Sequence, residues 1–223
     1  MSTRWARIWF GVTALCAVAG VAISIGTAVH NTAGHFGTGA ERGFNTFAFF
    51  TIESNLIVAV TATVAAVRLE PPSIVYQVAR LTGLVAITVT GVVYHVALAH
   101  LLDLESWNLV GDQLVHTVVP VLSVIGWLIL SPRGRTSRRV AWWSLLFPIT
   151  WLAFTLIRGA VIQWYPYHFI DVTTLGYAKA ALNCFWVSLL FLALAAGATS
   201  LDAYLGRSGR QSAEVETPEV DTV

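Results

Sequence analysis

The residues of this chain that could do chemistry lie inside long apolar stretches of sequence. One hydroxyl, one carboxyl, two imidazoles and two cations interrupt these stretches: Thr51, Glu53, His95, His116, Arg158 and Lys179. An ionisable side chain costs free energy inside a lipid bilayer, so it normally faces the interior of a helix bundle or a water-filled cavity. The pattern therefore predicts a polar pocket between membrane-spanning helices.

A hydroxyl beside an imidazole is suited to nucleophilic catalysis. The hydroxyl is a weak nucleophile until a base takes its proton, and the oxyanion formed by its attack needs hydrogen-bond donors nearby. Thr51 and His116 are the candidate nucleophile and base. The candidate donors are Asn55, Arg158 and Lys179.

Helical spacing divides the polar residues around Thr51 between two faces. Successive residues are about 100° apart, so Thr51 and Asn55 share one face and Glu53 is turned away by about 160°. Either Glu53 lies in a neighbouring groove, or the pocket wraps around the helix. In both cases Glu53 must be protonated, paired with Arg158 or Lys179, or open to water.

Two further polar residues, Asp112 and His95, could lie close to His116. Asp112 precedes His116 by about one helical turn. It either orients the imidazole from the mouth of the helix or simply caps the helix N-terminus. His95 lies at a similar depth on the preceding apolar stretch, where it either contributes to the pocket or is hydrogen-bonded between helices.

The elements that must position these residues are transmembrane helices. Of the 223 residues, 56% are hydrophobic and 11% are charged, with a mean hydropathy of +0.70, against roughly 25% charged residues in soluble domains. The net charge of +1 argues against a nucleic-acid partner. Cys16 and Cys184 both lie deep in apolar runs and predict no disulfide.

The apolar runs predict an all-α, polytopic integral membrane protein. A domain of six transmembrane helices is expected over residues 1–204, followed by a disordered cytoplasmic tail over residues 205–223. The predicted spans cover about residues 5–29, 44–67, 77–102, 111–130, 140–163 and 174–198. Residues 164–171, before the last span, either form a lid over the pocket or anchor the chain at the membrane interface.

The distribution of arginine predicts the orientation of the spans. Positive residues are retained on the cytoplasmic side of short loops. The termini and alternate connections hold most of the arginines: Arg4, Arg7, Arg68, Arg80, Arg133, Arg135, Arg138, Arg139, Arg207 and Arg210. Both termini are therefore expected inside the cell, and the polar pocket is expected toward the outer leaflet of the cell membrane. The inner halves of spans 2, 4 and 6 lack charged residues, which argues against a transmembrane conduit.

Three runs of sequence carry a resemblance to a known family. They read FFTIESNL at 49–56, LVHTVVP at 114–120 and WYPYHFID at 164–171. They resemble the androgen-induced membrane protein family and its bacterial relatives. Animal members of that family are six-span enzymes that use a threonine nucleophile and a histidine to hydrolyse fatty acid esters of hydroxy fatty acids. The resemblance implies that Thr51 and His116 are this threonine and this histidine.

Three functions remain open from the sequence. The leading hypothesis is an intramembrane hydrolase that uses no cofactor, lies among membrane lipids and acts on a lipid-like ester. The second is a b-type haem or metal-binding protein that uses His95 and His116, with Glu53 as a further zinc ligand. The third is a noncatalytic protein that binds a lipid or a small molecule. Arginine outnumbers lysine by 12 to 1, and alanine and valine are abundant, which indicates a bacterial source.

Overall fold

The computed structural model describes residues 3–32, 34–69, 71–101 and 104–215, and over these residues it contains helices and no strand. Six helical segments of the described chain are long and apolar enough to cross a membrane. We number them as spans 1 to 6: Thr3–His30, Phe50–Arg68, Ile74–Leu98, Ser106–Leu130, Arg138–Ile162 and Val172–Ser208. The prediction of an all-α protein with six such helices is confirmed, and the six apolar helices indicate a multi-pass membrane protein.

Span 3 lies at the centre of the bundle. It packs against spans 2, 4, 5 and 6, whereas span 1 packs mainly against spans 2 and 4. The largest apolar cluster joins Val85 and Val89 of span 3 to Val140 of span 5 and Phe191 of span 6. Span 3 therefore forms one side of any site that is built between spans 2 and 4.

Spans 3 and 4 each contain a widened helical turn, at the C-terminal end of span 3 and in the N-terminal half of span 4. Span 3 is α-helical over Ile74–Val93 and π-helical over Tyr94–Leu98. Span 4 is π-helical over Leu114–Val118, between the α-helices Ser106–Gln113 and Val119–Leu130. π-Helical turns are rare and frequently mark functional sites. Each of these two turns contains one of the candidate histidines.

A proline explains the widened turn of span 4. Pro120 has no N–H to donate to the carbonyl of His116, and its ring would clash with that carbonyl in a regular α-helix. The π-helical turn instead pairs the Val119 N–H with the Leu114 carbonyl. A Cβ atom on Gly91 of span 3 would lie 3.1 Å from Pro120 Cβ and 3.3 Å from the His116 carbonyl oxygen. Proline and glycine together set the position of the His116 turn against span 3.

Span 2 begins at Phe50, later than the predicted start near residue 44. Gly39–Asn45 forms a separate helix, which starts at a capping box between Thr38 and Glu41. The apolar composition continues across the bend between the two helices, so hydropathy does not reveal it, whereas the capping-box pattern could have. Thr51 therefore lies in the first turn of span 2 and not well inside the span.

The last helix continues beyond the membrane-spanning segment. It runs over Val172–Val215, with a break at Gly176, whose φ is 74°. Residues 205–215, which were predicted to be disordered, are therefore helical, and residues 216–223 lie outside the described chain. Gly206 and Gly209 disfavour a helix here, but extending an existing helix costs much less free energy than starting one.

Candidate active site

The side chains of Thr51 and His116 meet between spans 2 and 4. Thr51 Oγ1 lies 3.2 Å from His116 Nε2, within hydrogen-bonding distance. Thr51 is buried in the first turn of span 2, and His116 is partly buried in the π-helical turn of span 4. The structure therefore brings the candidate nucleophile and the candidate base into direct contact.

The other ring nitrogen of His116 faces a carboxylate. His116 Nδ1 lies 2.9 Å from Asp112 Oδ1 and 3.2 Å from the Asp112 carbonyl oxygen. Because both oxygens accept, Nδ1 carries a proton and Nε2 presents its lone pair to Thr51. Asp112 is buried inside the helix Ser106–Gln113, whose N-cap is Glu105, so it orients the imidazole and does not cap the helix. The three side chains form a hydroxyl–imidazole–carboxylate chain.

Tyr94 of span 3 holds the imidazole and the carboxylate together. Its ring stacks on the His116 ring, with the centroids 4.1 Å apart and an interplanar angle of 9°. Its hydroxyl donates a hydrogen bond to Asp112 Oδ2. The sequence prediction missed this residue. The available signal was that a tyrosine inside an apolar span needs a partner for its hydroxyl when it is buried.

Tyr167, from the connection between spans 5 and 6, closes the site beside Thr51. The Thr51 N–H donates to Tyr167 Oη at 3.1 Å, and the two hydroxyl oxygens are also 3.1 Å apart. Although part of the side chain is exposed, burial raises the pKa of Tyr167 to about 12, and the hydrogen bonds with Thr51 offset part of that rise. Tyr167 therefore keeps its proton at neutral pH, so it can donate to Thr51 Oγ1 while Thr51 donates to His116 Nε2.

The position taken by Tyr167 Oη is favourable for negative charge. The N–H groups in the first turn of a helix have no partner within that helix, and the helix dipole is positive at this end. The Thr51 N–H is one of these groups, and it points to Tyr167 Oη. An oxyanion formed at this place would be stabilised in the same way as other anions at helix N-termini.

Asn55 lies next to the candidate pair but does not offer its amide to a substrate. Asn55 Nδ2 donates to the Thr51 carbonyl at 2.8 Å and to the Val115 carbonyl at 3.2 Å. Asn55 is completely buried. It joins the first turn of span 2 to the π-helical turn of span 4 and so helps to position Thr51 beside His116.

The two cations predicted as candidate donors lie away from the pair. Arg158 donates to Asn45 Oδ1 at 2.6 Å, and its guanidinium lies over the rings of Trp164 and Phe36 at 5.4 Å and 5.9 Å from their centroids. Lys179 is exposed on span 6. Arg158 thus joins the segment between spans 1 and 2 to the connection between spans 5 and 6, and neither cation contacts Thr51.

Glu53 and His95 also face away from the pair. Glu53 is partly buried and, among the described residues, forms no ion pair, so of its three expected states the pairing with Arg158 or Lys179 is not seen. His95 is exposed, and its Nε2 lies 3.1 Å from Thr117 Oγ1 of span 4. His95 therefore forms a hydrogen bond between spans 3 and 4, which was one of its two expected roles.

The contacts of the histidines bear on the metal-binding hypothesis. Both ring nitrogens of His116 already face partners, Thr51 and Asp112, and His95 Nε2 faces Thr117. A metal ligand must present a free imidazole lone pair. Over the part of the chain that the structure describes, no three His, Cys, Asp or Glu side chains are grouped for a metal ion. The arrangement is suited to proton transfer and not to metal coordination.

Two cavities open from the contact between Thr51 and His116. The first, which we call the apolar cavity, lies between spans 2, 3, 5 and 6 and measures about 680 Å³ including space open to the outside. Its lining consists mostly of aliphatic and aromatic side chains: Val89, Val93, Leu152, Ile170, Val187 and Phe191. This lining suits a hydrocarbon chain.

The second, which we call the polar cavity, measures about 1300 Å³ including space open to the outside. Its lining combines apolar residues with hydroxyl, amide and imidazole side chains: Ser24, Thr27, Asn31, Thr46, Asn108 and His168. Five residues line both cavities: Thr51, Tyr94, Leu98, His116 and Tyr167. The candidate catalytic group therefore stands where an apolar and a polar compartment meet.

Comparison with known proteins identifies no relative of this chain. No known protein family matches the chain, and no curated protein or solved structure is significantly similar to it. The resemblance of residues 49–56, 114–120 and 164–171 to the androgen-induced membrane protein family therefore stays a prediction. What supports a function is the geometry of the site.

Proposed function

We propose that this protein is an intramembrane hydrolase of lipid-like esters, with Thr51 as the nucleophile and His116 as the general base. The observation that carries the proposal is the hydrogen-bonded chain from Thr51 through His116 to Asp112 at the junction of the two cavities. Asp112 and Tyr94 hold the imidazole in the tautomer that accepts a proton from the hydroxyl.

The first half-reaction transfers the acyl group to the threonine. Thr51 Oγ1 attacks the ester carbonyl carbon while His116 Nε2 takes the hydroxyl proton, and the carbonyl oxygen becomes an oxyanion. The Thr51 N–H and the Tyr167 hydroxyl are the donors closest to this oxyanion. The bond to the alcohol oxygen then breaks, His116 returns the proton to the departing alcohol, and an acyl-threonine remains.

The second half-reaction releases the acid. A water molecule gives a proton to His116 Nε2 and attacks the acyl carbon, which forms a second oxyanion at the same donors. When this intermediate collapses, the bond to Thr51 Oγ1 breaks and His116 returns the proton to the threonine. The products are one alcohol and one carboxylic acid, and the side chains are restored.

The proposal includes an orientation in the cell membrane. We place both termini in the cytoplasm and the site toward the outer leaflet, among membrane lipids. The supporting observation is the charge of the connections at the two ends of the bundle. Arginines concentrate in the connection before span 5 and at the start of that span, at residues 133–139, whereas the connection before span 6, which carries Tyr167, contains none.

A noncatalytic lipid-binding protein is the alternative that the same cavity favours. The apolar cavity could hold an acyl chain without any reaction, and Tyr167 Oη already occupies the place next to the Thr51 N–H. The two functions differ in whether the Thr51 hydroxyl reacts. A covalent label on that hydroxyl therefore separates them.

The test is labelling of the purified full-length protein with a long-chain fluorophosphonate, together with hydrolysis of a long-chain ester. The wild type should form an adduct on Thr51, located by mass spectrometry, and should turn over the ester. Thr51→Ala and His116→Ala should lose both. Thr63→Ala removes an exposed hydroxyl from span 2, which also carries Thr51, and His95→Ala removes the other candidate histidine. Both variants should react as the wild type does.

Three results would contradict the proposal. Equal labelling and turnover by Thr51→Ala and the wild type would remove Thr51 as the nucleophile. Retention of lipid without turnover or adduct would support the noncatalytic role instead. Loss of activity in His95→Ala, together with a stoichiometric metal in the purified wild type, would support the metal-binding hypothesis instead.

A further inference from the structure

The reaction assigns one part of the ester to each cavity. In a two-step hydrolysis, water attacks the acyl-enzyme from the side on which the alcohol has left, because the same base serves both steps. The polar cavity has more hydroxyl, amide and imidazole groups in its lining than the apolar cavity has, so it is the compartment better suited to hold this water. The alcohol part of the substrate therefore belongs in the polar cavity, and the acyl chain belongs in the apolar cavity.

Three hydroxyls that line the polar cavity can only accept hydrogen bonds from a ligand. Ser24 Oγ donates to the Gly20 carbonyl, and Thr27 Oγ1 donates to the Ser24 carbonyl. Thr46 Oγ1 donates to the Arg42 carbonyl. Each hydroxyl has one proton and two lone pairs, so only lone pairs remain to face the cavity. These three hydroxyls therefore favour a ligand that brings donors.

The basic side chains in the described lining of the same cavity are the imidazoles of His116 and His168. Among the described residues that line it there is neither lysine nor arginine. Its carboxylate, Asp112, already binds His116 and Tyr94. A carboxylate or phosphate only accepts hydrogen bonds, so it would meet lone pairs and negative charge. Hydroxyl groups of a ligand, by contrast, can donate to these oxygens and pair with the exposed amide of Asn108.

From this arrangement we infer that the substrate is an ester of a long acyl chain with a small, neutral, polyhydroxylated alcohol such as glycerol. The inference rests on the proposed hydrolysis and adds the class of the leaving alcohol. The acyl chain lies against Val187 and Phe191, the ester carbon lies at Thr51, and the hydroxyls of the alcohol donate to Thr27 and Ser24.

The test compares four oleoyl esters that differ only in the alcohol. The alcohols are glycerol, methanol, glycerol phosphate and a hydroxy fatty acid, and the enzyme is the purified full-length protein in detergent micelles. The glycerol ester should exceed the methyl ester in kcat/KM by about tenfold, as one or two added hydrogen bonds would give. The two anionic esters should fall below the methyl ester.

Variants of each cavity make the assignment specific. Thr27→Val and Ser24→Ala remove acceptors, so the ratio of glycerol-ester to methyl-ester turnover should fall several-fold. The matched control is Thr63→Val on the exposed face of span 2, which should leave that ratio unchanged. Val187→Trp fills the apolar cavity and should reduce turnover of oleoyl glycerol more than that of butanoyl glycerol.

The outcomes separate the inference from the function it rests on. Thr51-dependent hydrolysis with the hydroxy fatty acid ester preferred, or with no preference among alcohols, would overturn the inference and leave the hydrolase. An unchanged ratio in Thr27→Val and Ser24→Ala would also overturn it. If the wild type hydrolyses none of the four esters and forms no fluorophosphonate adduct, the hydrolase and the inference are both wrong.

Discussion

The hydroxyl oxygen of Tyr167 lies 3.1 Å from both the backbone nitrogen and the hydroxyl oxygen of Thr51. An oxyanion bonded to the carbon that Thr51 attacks would form in the same small region, next to the same N–H. A tyrosine hydroxyl there can donate to the oxyanion with a short movement, because its proton is retained. The connection between spans 5 and 6 is therefore part of the proposed catalytic site and is more than a membrane anchor.

The first prediction concerns this donor. Tyr167→Phe keeps the ring and removes the hydroxyl, so the oxyanion loses one of its two donors. We expect kcat to fall by about 100-fold, which is typical of the loss of one oxyanion donor, with little change in KM. Steady-state hydrolysis of a long-chain ester measures both constants.

The opposite result would assign a different role to the same residue. If Tyr167→Phe were faster than the wild type, the hydroxyl would be blocking the Thr51 N–H until a substrate displaces it. Tyr177→Phe is the matched control, because that tyrosine is exposed on span 6 and lines neither cavity. It should have the kinetics of the wild type.

The second prediction concerns the titration of Tyr167. An ordinary tyrosine ionises near pH 10, whereas burial raises the pKa of Tyr167 to about 12. The neutral donor should therefore persist through the interval between these values and be lost only as the pH rises toward 12. Tyrosinate absorbance of the wild type minus that of Tyr167→Phe measures this one group. A difference that is already half complete near pH 10 would show that the hydroxyl is open to water.

The third prediction concerns the carboxylate behind the histidine. Asp112→Asn keeps the shape of the side chain, but its amide can donate to the imidazole and favours the wrong tautomer of His116. We expect kcat to fall by roughly 1000-fold or more, with the fold retained by circular dichroism. Tyr94→Phe, which loses only the hydroxyl that binds Asp112, should cost about tenfold.

Asp112→Asn and His116→Ala should also be non-additive. Asp112 acts through the position and tautomer of the His116 ring, so the double variant should be no worse than His116→Ala alone. An additive loss would mean that Asp112 contributes to the reaction independently of the imidazole.

Hydropathy and charge were sufficient to predict the six helices from the sequence, because each apolar run is long enough to cross a bilayer. The same reasoning placed Thr51 and His116 at a similar depth, and the structure brings them into contact. It also placed Arg158 and Lys179 in that layer, but depth does not determine direction around a helix axis. Arg158 binds Asn45, and Lys179 is exposed.

The sequence could not reveal the partners of Tyr94 and Tyr167, because these depend on how the helices are arranged. Tyr94 reaches Asp112 and His116 only because spans 3 and 4 are adjacent and each contains a π-helical turn. A π-helical turn changes the angular position of every residue after it, so spacing rules for a regular α-helix do not extend across it. Tyr167 lies in a connection, and its position depends on where the chain folds back over span 2.

The fourth prediction concerns the close contact between Gly91 and the His116 turn. A Cβ atom on Gly91 would lie 3.1 Å from Pro120 Cβ and 3.3 Å from the His116 carbonyl oxygen, so Gly91→Ala must push span 4 by a few tenths of an ångström. We expect a net loss of stability of about 1 kcal/mol, because overpacking costs about 2 kcal/mol and the helix preference of alanine offsets about 1 kcal/mol. We also expect a lower kcat, because the imidazole moves relative to Thr51. Thermal unfolding in detergent and ester hydrolysis measure the two effects.

Gly11→Ala in span 1 is the matched substitution. A Cβ atom there would have no neighbour within 4 Å, and alanine is favoured over glycine inside a helix by about 1 kcal/mol. Gly11→Ala should therefore be at least as stable as the wild type and equally active. If Gly91→Ala behaved in the same way, the packing of span 3 would not control the His116 turn.

The fifth prediction concerns the orientation of the bundle. In a chain whose own Cys16 and Cys184 are replaced by serine, His35→Cys and Arg139→Cys each place one exposed thiol at opposite ends of the bundle. Because the arginine-rich end is expected in the cytoplasm, an impermeant maleimide should label His35→Cys in intact cells and Arg139→Cys only after the membrane is opened. Both should react in detergent, which controls for accessibility. Labelling of Arg139→Cys alone in intact cells would invert the bundle and place the site of Thr51 and His116 at the inner leaflet.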